Sequence, residues 1–193
     1  RRRFLLGVGG GSALLGAAAL AHAVAPIGPF SLKAPRDRAS SPQQLPVNRS
    51  AKQAAVTALA LDPGWTLRVS GASERSFTPA ELEALTQRTA VLPIACVEGW
   101  TVDATWTGVR LGDLLDLVGA PEHATIRLRS LQQRGAFRTT TMPPEYARDP
   151  LTLIALRVNG ERLDVDHGYP ARVIAPGRPG VLQTKWLTAI EVT

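Results

Sequence analysis

Residues 4–25 contain no Asp, Glu, Lys or Arg, and three arginines stand immediately before them. At about 1.5 Å per residue, such a run just reaches across the roughly 30 Å hydrocarbon core of a bilayer. It is rich in Gly and Ala, so it is only moderately apolar. Pro26, Pro29, Pro35, Pro42 and Pro46 follow, mixed with Ser31, Ser40 and Ser41. Prolines at that density break helices and strands and predict an extended linker. The chain thus divides into a segment 1–25, a Pro/Ser-rich linker 26–45 and a globular domain 46–193. The last part has the length of a single ordinary domain.

A cationic flank, an apolar run and then the small residues Ala21, Ala23 and Ala25 form the layout of an export signal. Arg1-Arg2-x-Phe4-Leu5 also resembles the twin-arginine address. A cleaved signal, a retained anchor and the last helix of a longer membrane region all fit this pattern. The arginines precede the apolar run, so each predicts a bacterial membrane location with the domain on the extracytoplasmic side, or export if the signal is cleaved. The only Met is Met142 and the chain opens on Arg1, which predicts a processed or truncated chain.

Hydrophobic residues make up 45% of the chain and charged residues 20%, which excludes global disorder. The single Cys96 excludes an intrachain disulfide, and with only three His it excludes a Cys-based zinc knuckle. Net charge is +6, with ten Lys or Arg between Arg127 and Lys185. Aromatics are only 5%, and no basic helix or interleaved basic-aromatic pattern occurs, so nucleic acid is not an expected partner. A positively biased surface, a lipid headgroup or a phosphorylated cofactor remain as reasons for the surplus.

Within the domain, strands are predicted at 66–69, 91–97, 125–131, 151–158, 171–174 and 186–192 from length, alternation and β-branched content. Thr78-Pro79-Ala80-Glu81 predicts a capped helix start, with the helix reaching 85 or 89. Apolar positions 111, 114, 115 and 118 predict a second helix, stopped by Gly119-Ala120-Pro121. Asn159-Gly160 predicts a hairpin. The fold class is α+β, mixed and β-rich, with short peripheral helices and an N-terminal apolar helix in front. No GxGxxG follows a strand and no GxxxxGK[ST] occurs.

Three places could carry chemistry. Cys96 ends an apolar strand before Glu98-Gly99-Trp100, where it reads as a buried small hydrophobe or as a thiolate that ligates a metal or attacks a substrate. Asp166-His167-Gly168-Tyr169-Pro170-Ala171-Arg172 is a Gly/Pro-pinned loop with two donors five residues apart. Gln183-Thr184-Lys185-Trp186 adds another cation. Separately the last two read as surface turns; together they suit a dianionic phosphate attached to a polar ring system.

The ordered set Cys96-Val97-Glu98-Gly99-Trp100, Trp106-x-Gly108-x-x-Leu111-x-x-Leu114-Leu115, Asp149-Pro150-Leu151, Asn159-Gly160, His167-Gly168-x-Pro170-x-Arg172 and Lys185-Trp186-Leu187 resembles the molybdopterin-binding domain of the sulfite oxidase family over about residues 45 to 193. Cys-Val-Glu-Gly-Trp is more similar to the exported methionine-sulfoxide reductase branch than to sulfite oxidase proper. The resemblance implies a mononuclear molybdenum–molybdopterin cofactor, with Cys96 as both the catalytic residue and the metal ligand. It implies that Asn48, Ser130, His167, Arg172, Thr184 and Lys185 hold the pterin and its phosphate, joined by the backbone around Gln183. Ala51 and Lys52 stand where the reductase branch has a Tyr–Glu pair. Glu98 and Gly99 replace the Arg-rich stretch that helps sulfite oxidases bind sulfite.

An extracytoplasmic oxidoreductase performing oxygen-atom transfer on a small substrate, such as a sulfoxide or other S- or N-oxide, is therefore expected. Electrons would pass to a membrane partner linked to haem or quinone, since no C-x-x-C-H haem motif is present. Two other classes stay open: a non-catalytic binding or sensing ectodomain that keeps the fold without the metal, and a Cys-nucleophile hydrolase.

Overall fold

The computed structural model describes residues 42–95 and 101–193. The apolar run, most of the linker and Cys96 lie outside the described residues. Among the described residues, no helix is long and apolar enough to cross a membrane.

A short helix α1 (Thr57–Ala60) leads into β1 (Leu67–Ser70) and β2 (Glu74–Phe77). Helix α2 (Pro79–Ala84) starts with a capping box: Thr78 Oγ1 accepts from the Glu81 amide, and the Glu81 carboxylate accepts from the Thr78 amide. It ends at the nearer of the two predicted ends, with Leu85 as its C-cap. Leu85 is extended, and the Gln87 side-chain amide donates to the carbonyls of Leu82 and Leu85 at the helix end. This frees Gln87 to open β3 (Gln87–Ala95), four residues before the predicted strand start.

β3 pairs antiparallel with β4 (Thr101–Arg110), from Gln87 opposite Val109 to Ala95 opposite Thr101. The chain continues through α3 (Leu111–Asp116), β5 (Ile126–Ser130), β6 (Thr139–Met142) and α4 (Pro144–Ala147). It closes with β7 (Leu153–Val158), β8 (Glu161–Arg162), β9 (Arg172–Ile174) and β10 (Leu187–Val192). The Asn159-Gly160 hairpin forms as expected, with both residues at positive φ.

The strands make two five-stranded sheets. One runs β2-β1-β10-β5-β6, parallel only between β1 and β10. The other runs β3-β4-β7-β8, with β9 also pairing to β7. The outcome is the mixed, sheet-rich fold with few short helices that the sequence implied.

Strands β2, β4 and β6 escaped the sequence reading. β2 and β6 hold only four residues each, and β2 does not alternate between buried and exposed positions. β4 carries a fault in its register: its pairing with β7 shifts between Thr107 and Gly108. At that bulge the strands come so close that a Cβ on Gly108 would lie 2.7 Å from the Ala155 Cα. Only glycine fits there.

The main core packs Leu67, Val69, Leu111, Leu114, Leu115, Leu128, Ile154 and Leu187, all almost fully buried. Each such side chain contributes about 1.5–3 kcal/mol by leaving water. A second cluster around Trp106 joins Leu92 and Ile94 of β3 to β7. A third packs Ala51, Ala54, Val56 and Ala60 on Trp186. The last two clusters matter for function because Leu45, Ile94 and Trp186 from them line one cavity.

Candidate cofactor site

A cavity of about 220 Å³ is lined by residues from the entry segment, the end of β3, the loop before β9 and the approach to β10. The entry segment supplies Leu45, Asn48 and Arg49; β3 supplies Ile94; the later loops supply His167, Arg172, Gly180, Gln183, Thr184 and Lys185. No Asp or Glu lines it among the described residues.

Local structure places each cation. His167 closes a single 3-10 turn, Val165–His167, in which the Asp164 side chain accepts from the Asp166 amide. Gly168 follows at φ 110, the left-handed region. A Cβ there would press 3.1 Å from the Cβ atoms of both Arg172 and Lys185, so glycine allows the two cations to flank the turn. Arg172 opens β9 and is 4% exposed. Its Nη1 donates to the His167 carbonyl at 3.0 Å, and Nη2 reaches the Gln183 carbonyl at 3.4 Å. Its Nε is buried with no hydrogen-bond partner among the described residues. Burial without a carboxylate pulls the Arg172 pKa down to about 9.

Lys185 donates from Nζ to the carbonyls of Arg49 (2.6 Å) and Asp166 (2.7 Å). Burial lowers its pKa to about 7, the Arg172 charge adding to the shift and Asp166 opposing it. Thr184 is buried and shares a 3.0 Å hydroxyl–hydroxyl bond with Thr140. Gln183 is 2% exposed. Its side-chain NH2 is occupied by the Arg178 and Ala175 carbonyls, and its Oε1 has no partner among the described residues.

Five of the predicted residues, Asn48, His167, Arg172, Thr184 and Lys185, thus line one cavity. Ser130 does not: its Oγ donates to the Lys185 carbonyl at 2.8 Å and accepts from the Gln132 amide. Cys96 falls outside the described residues, although Ile94, two positions earlier, lines the cavity. Gly180 lies against the same strand end, where a Cβ would sit 2.7 Å from the Ala95 carbonyl oxygen. Arg178 is 4% exposed and ties its loop to β6 through the Thr141 carbonyl. Sequence reasoning missed the orphaned Gln183 oxygen, because nothing in a lone Gln signals burial.

Two buried or near-buried cations, with no Asp or Glu on the cavity wall and with Arg172 Nε and Gln183 Oε1 unpartnered among the described residues, form a donor-rich slot. Such a slot fits an anionic group joined to a polar ring. The residues present therefore suit a phosphate-bearing pterin.

The family described as the oxidoreductase molybdopterin binding domain matches residues 54–193, and the chain belongs to it. It is thus a molybdopterin-binding oxidoreductase domain, with Mo-molybdopterin as the cofactor. It is 34% identical to sulfite oxidase of Arabidopsis thaliana over 126 residues, which are 55% of this chain and 32% of that one. It is 30% identical over 152 residues to the protein-methionine-sulfoxide reductase catalytic subunit MsrP of Xanthomonas campestris pv. campestris, covering 71% of this chain and 47% of that one. In fold it is similar to the sulfane dehydrogenase SoxCD from Paracoccus pantotrophus, with TM-score 0.60 and 24% identity over 67% of this chain and 38% of that one. The chain spans less than half the length of each of these relatives.

Proposed function

We propose that this domain is an extracytoplasmic oxygen-atom-transfer enzyme acting on a small sulfoxide or other S- or N-oxide, with electrons exchanged through a membrane partner linked to haem or quinone. The observation that carries the reading is the pair Arg172 and Lys185, two sequestered cations facing one cavity with no carboxylate on its wall among the described residues. Similarity to a methionine-sulfoxide reductase subunit supports the substrate class. Glu98-Gly99, where sulfite oxidases have arginine, argues against sulfite. Arg1-Arg2-x-Phe4-Leu5 and the apolar run support an export signal or anchor over 1–25, a linker over 26–45 and the catalytic domain over 46–193.

When bound, the cofactor supplies two-electron oxygen-atom exchange at its metal. Arg172 and Lys185 bind the terminal phosphate through charge-assisted hydrogen bonds, with Arg172 Nε contributing the free donor. Asn48, His167 and Thr184, which line the same cavity, would orient the ring system. Gln183 would offer its unpartnered Oε1 as an acceptor to the ring system. Cys96 offers its thiolate to the metal. Ser130 acts through Lys185, holding its backbone in place.

The test is elemental and pterin analysis of the full chain purified from a molybdenum-competent host. Equimolar molybdenum and pterin are expected; absence of both overturns the reading in favour of a metal-free binding module. Cys96→Ser retains the pterin and loses oxygen transfer; a variant that still turns over sinks the role given to that sulfur.

A further inference from the structure

The cavity's two sequestered cations stand over indole rings, and neither forms a salt bridge with a carboxylate among the described residues. Lys185 Nζ lies 4.4 Å from the centre of the Trp186 ring, and Arg172 Cζ lies 5.1 Å from that of Trp106. Both tryptophans are fully buried. An aromatic face attracts a cation without neutralising it, and the attraction grows as water is removed.

The backbone at Trp186 is a second, independent sign. Its φ is 51, a left-handed conformation that is costly for a bulky side chain and persists only where the surroundings impose it. Adjacent residues of an extended strand point to opposite faces, so ordinary backbone would carry the ring away from Lys185. The left-handed turn places it beneath the ammonium. The conformation is held from both ends: the Trp186 amide donates to the Gly168 carbonyl, and the indole N–H donates to the Val165 carbonyl at 2.6 Å. Trp106 is anchored likewise, its indole N–H reaching the Leu92 carbonyl at 3.2 Å.

The charged groups facing Lys185 are Arg172, Arg49 and Asp166. Two of these repel it, and a carboxylate oxygen of Asp166 is already taken by the Ala51 amide at 2.7 Å.

We propose that Trp186 and Trp106 are positioning residues whose ring faces keep Lys185 and Arg172 charged and aimed, leaving both charges for an incoming dianion. This rests on the reading above only for the identity of that dianion, the cofactor's phosphate.

The test uses the full chain grown with tryptophan or with mono-, di- and trifluorinated tryptophan. Fluorination drains the ring's negative face while nearly preserving its shape. Each protein is dialysed across a pH series and its retained pterin measured. The midpoint pH for retention falls stepwise with fluorination, by about one unit across the series. Trp186→Phe falls between the parent and Trp186→Leu, which assigns the effect among the four tryptophans of the chain. An unchanged midpoint across the fluorinated series overturns the proposal, and that series decides even if Trp186→Leu does not fold. A parent chain that carries no pterin instead defeats the functional reading. Calorimetric titration with sulfate, a dianion throughout the pH range, then decides the tryptophan proposal by the same ordering.

Discussion

Ser130 and Lys185 are joined by a 2.8 Å hydrogen bond from the Ser130 hydroxyl to the Lys185 carbonyl, across 55 residues of sequence. The bond links the end of β5 to the segment that carries the cavity's lysine. Ser130→Ala leaves that carbonyl and the Gln132 amide short of a partner. A stability loss of about 1 kcal/mol is expected in denaturant unfolding, together with lower pterin retention. Full retention with lost stability would confine the bond to a folding role.

Gly108→Ala probes the bulge between β4 and β7. The added methyl meets the Ile154 and Ala155 backbone, which cannot yield as a side chain would. Destabilisation of about 2–3 kcal/mol is expected, read by thermal or denaturant unfolding. A variant as stable as the parent would show that the two strands can separate at low cost.

Arg172→Gln removes a buried charge while keeping a polar group of moderate size. Pterin retention after dialysis should weaken on the order of ten- to a hundredfold. Arg172→Lys should recover only part of the loss, because a point charge cannot reproduce the guanidinium fork. Equal retention by all three proteins would remove Arg172 from the phosphate site.

Lys185 sets two opposite pH dependences. Its folded-state pKa, about 7, lies below the 10.5 of the unfolded side chain. Between those values the unfolded chain binds more protons, so the cofactor-free chain gains stability as pH rises, by at most about 1.4 kcal/mol per pH unit for one proton. Phosphate binding needs the charged form, so pterin retention falls as pH rises above neutrality. Lys185→Met should flatten both profiles; unfolding and retention curves that keep their slopes in that variant would exclude Lys185 as the titrating group.

Much of this was legible in the sequence, for identifiable reasons. Thr78-Pro79-Ala80-Glu81 and Asn159-Gly160 act through their own backbone, so local chemistry alone located the capped helix and the hairpin. β5 was visible because its residues alternate cleanly between buried and exposed. β4 was hidden by its bulge, and the nearer of the two ends predicted for α2 holds because Gln87 folds back over it, an event no propensity encodes. Five of the residues that the family resemblance implied for the pterin line one cavity. The resemblance placed Ser130 on the ligand, whereas its hydroxyl faces the Lys185 backbone. The tryptophan platforms and the orphaned Gln183 oxygen depend on tertiary burial, which single residue types do not announce.

β10 lies in the middle of its sheet, flanked by β1 from the start of the domain and by β5 from its centre. The segment carrying Gln183, Thr184 and Lys185 runs directly into it. A nascent chain therefore has no closed pocket until its latest strand has slotted between two much earlier ones. Loading of the ligand is an event of the finished domain, and a ribosome-bound intermediate stopped before β10 should be unable to hold it.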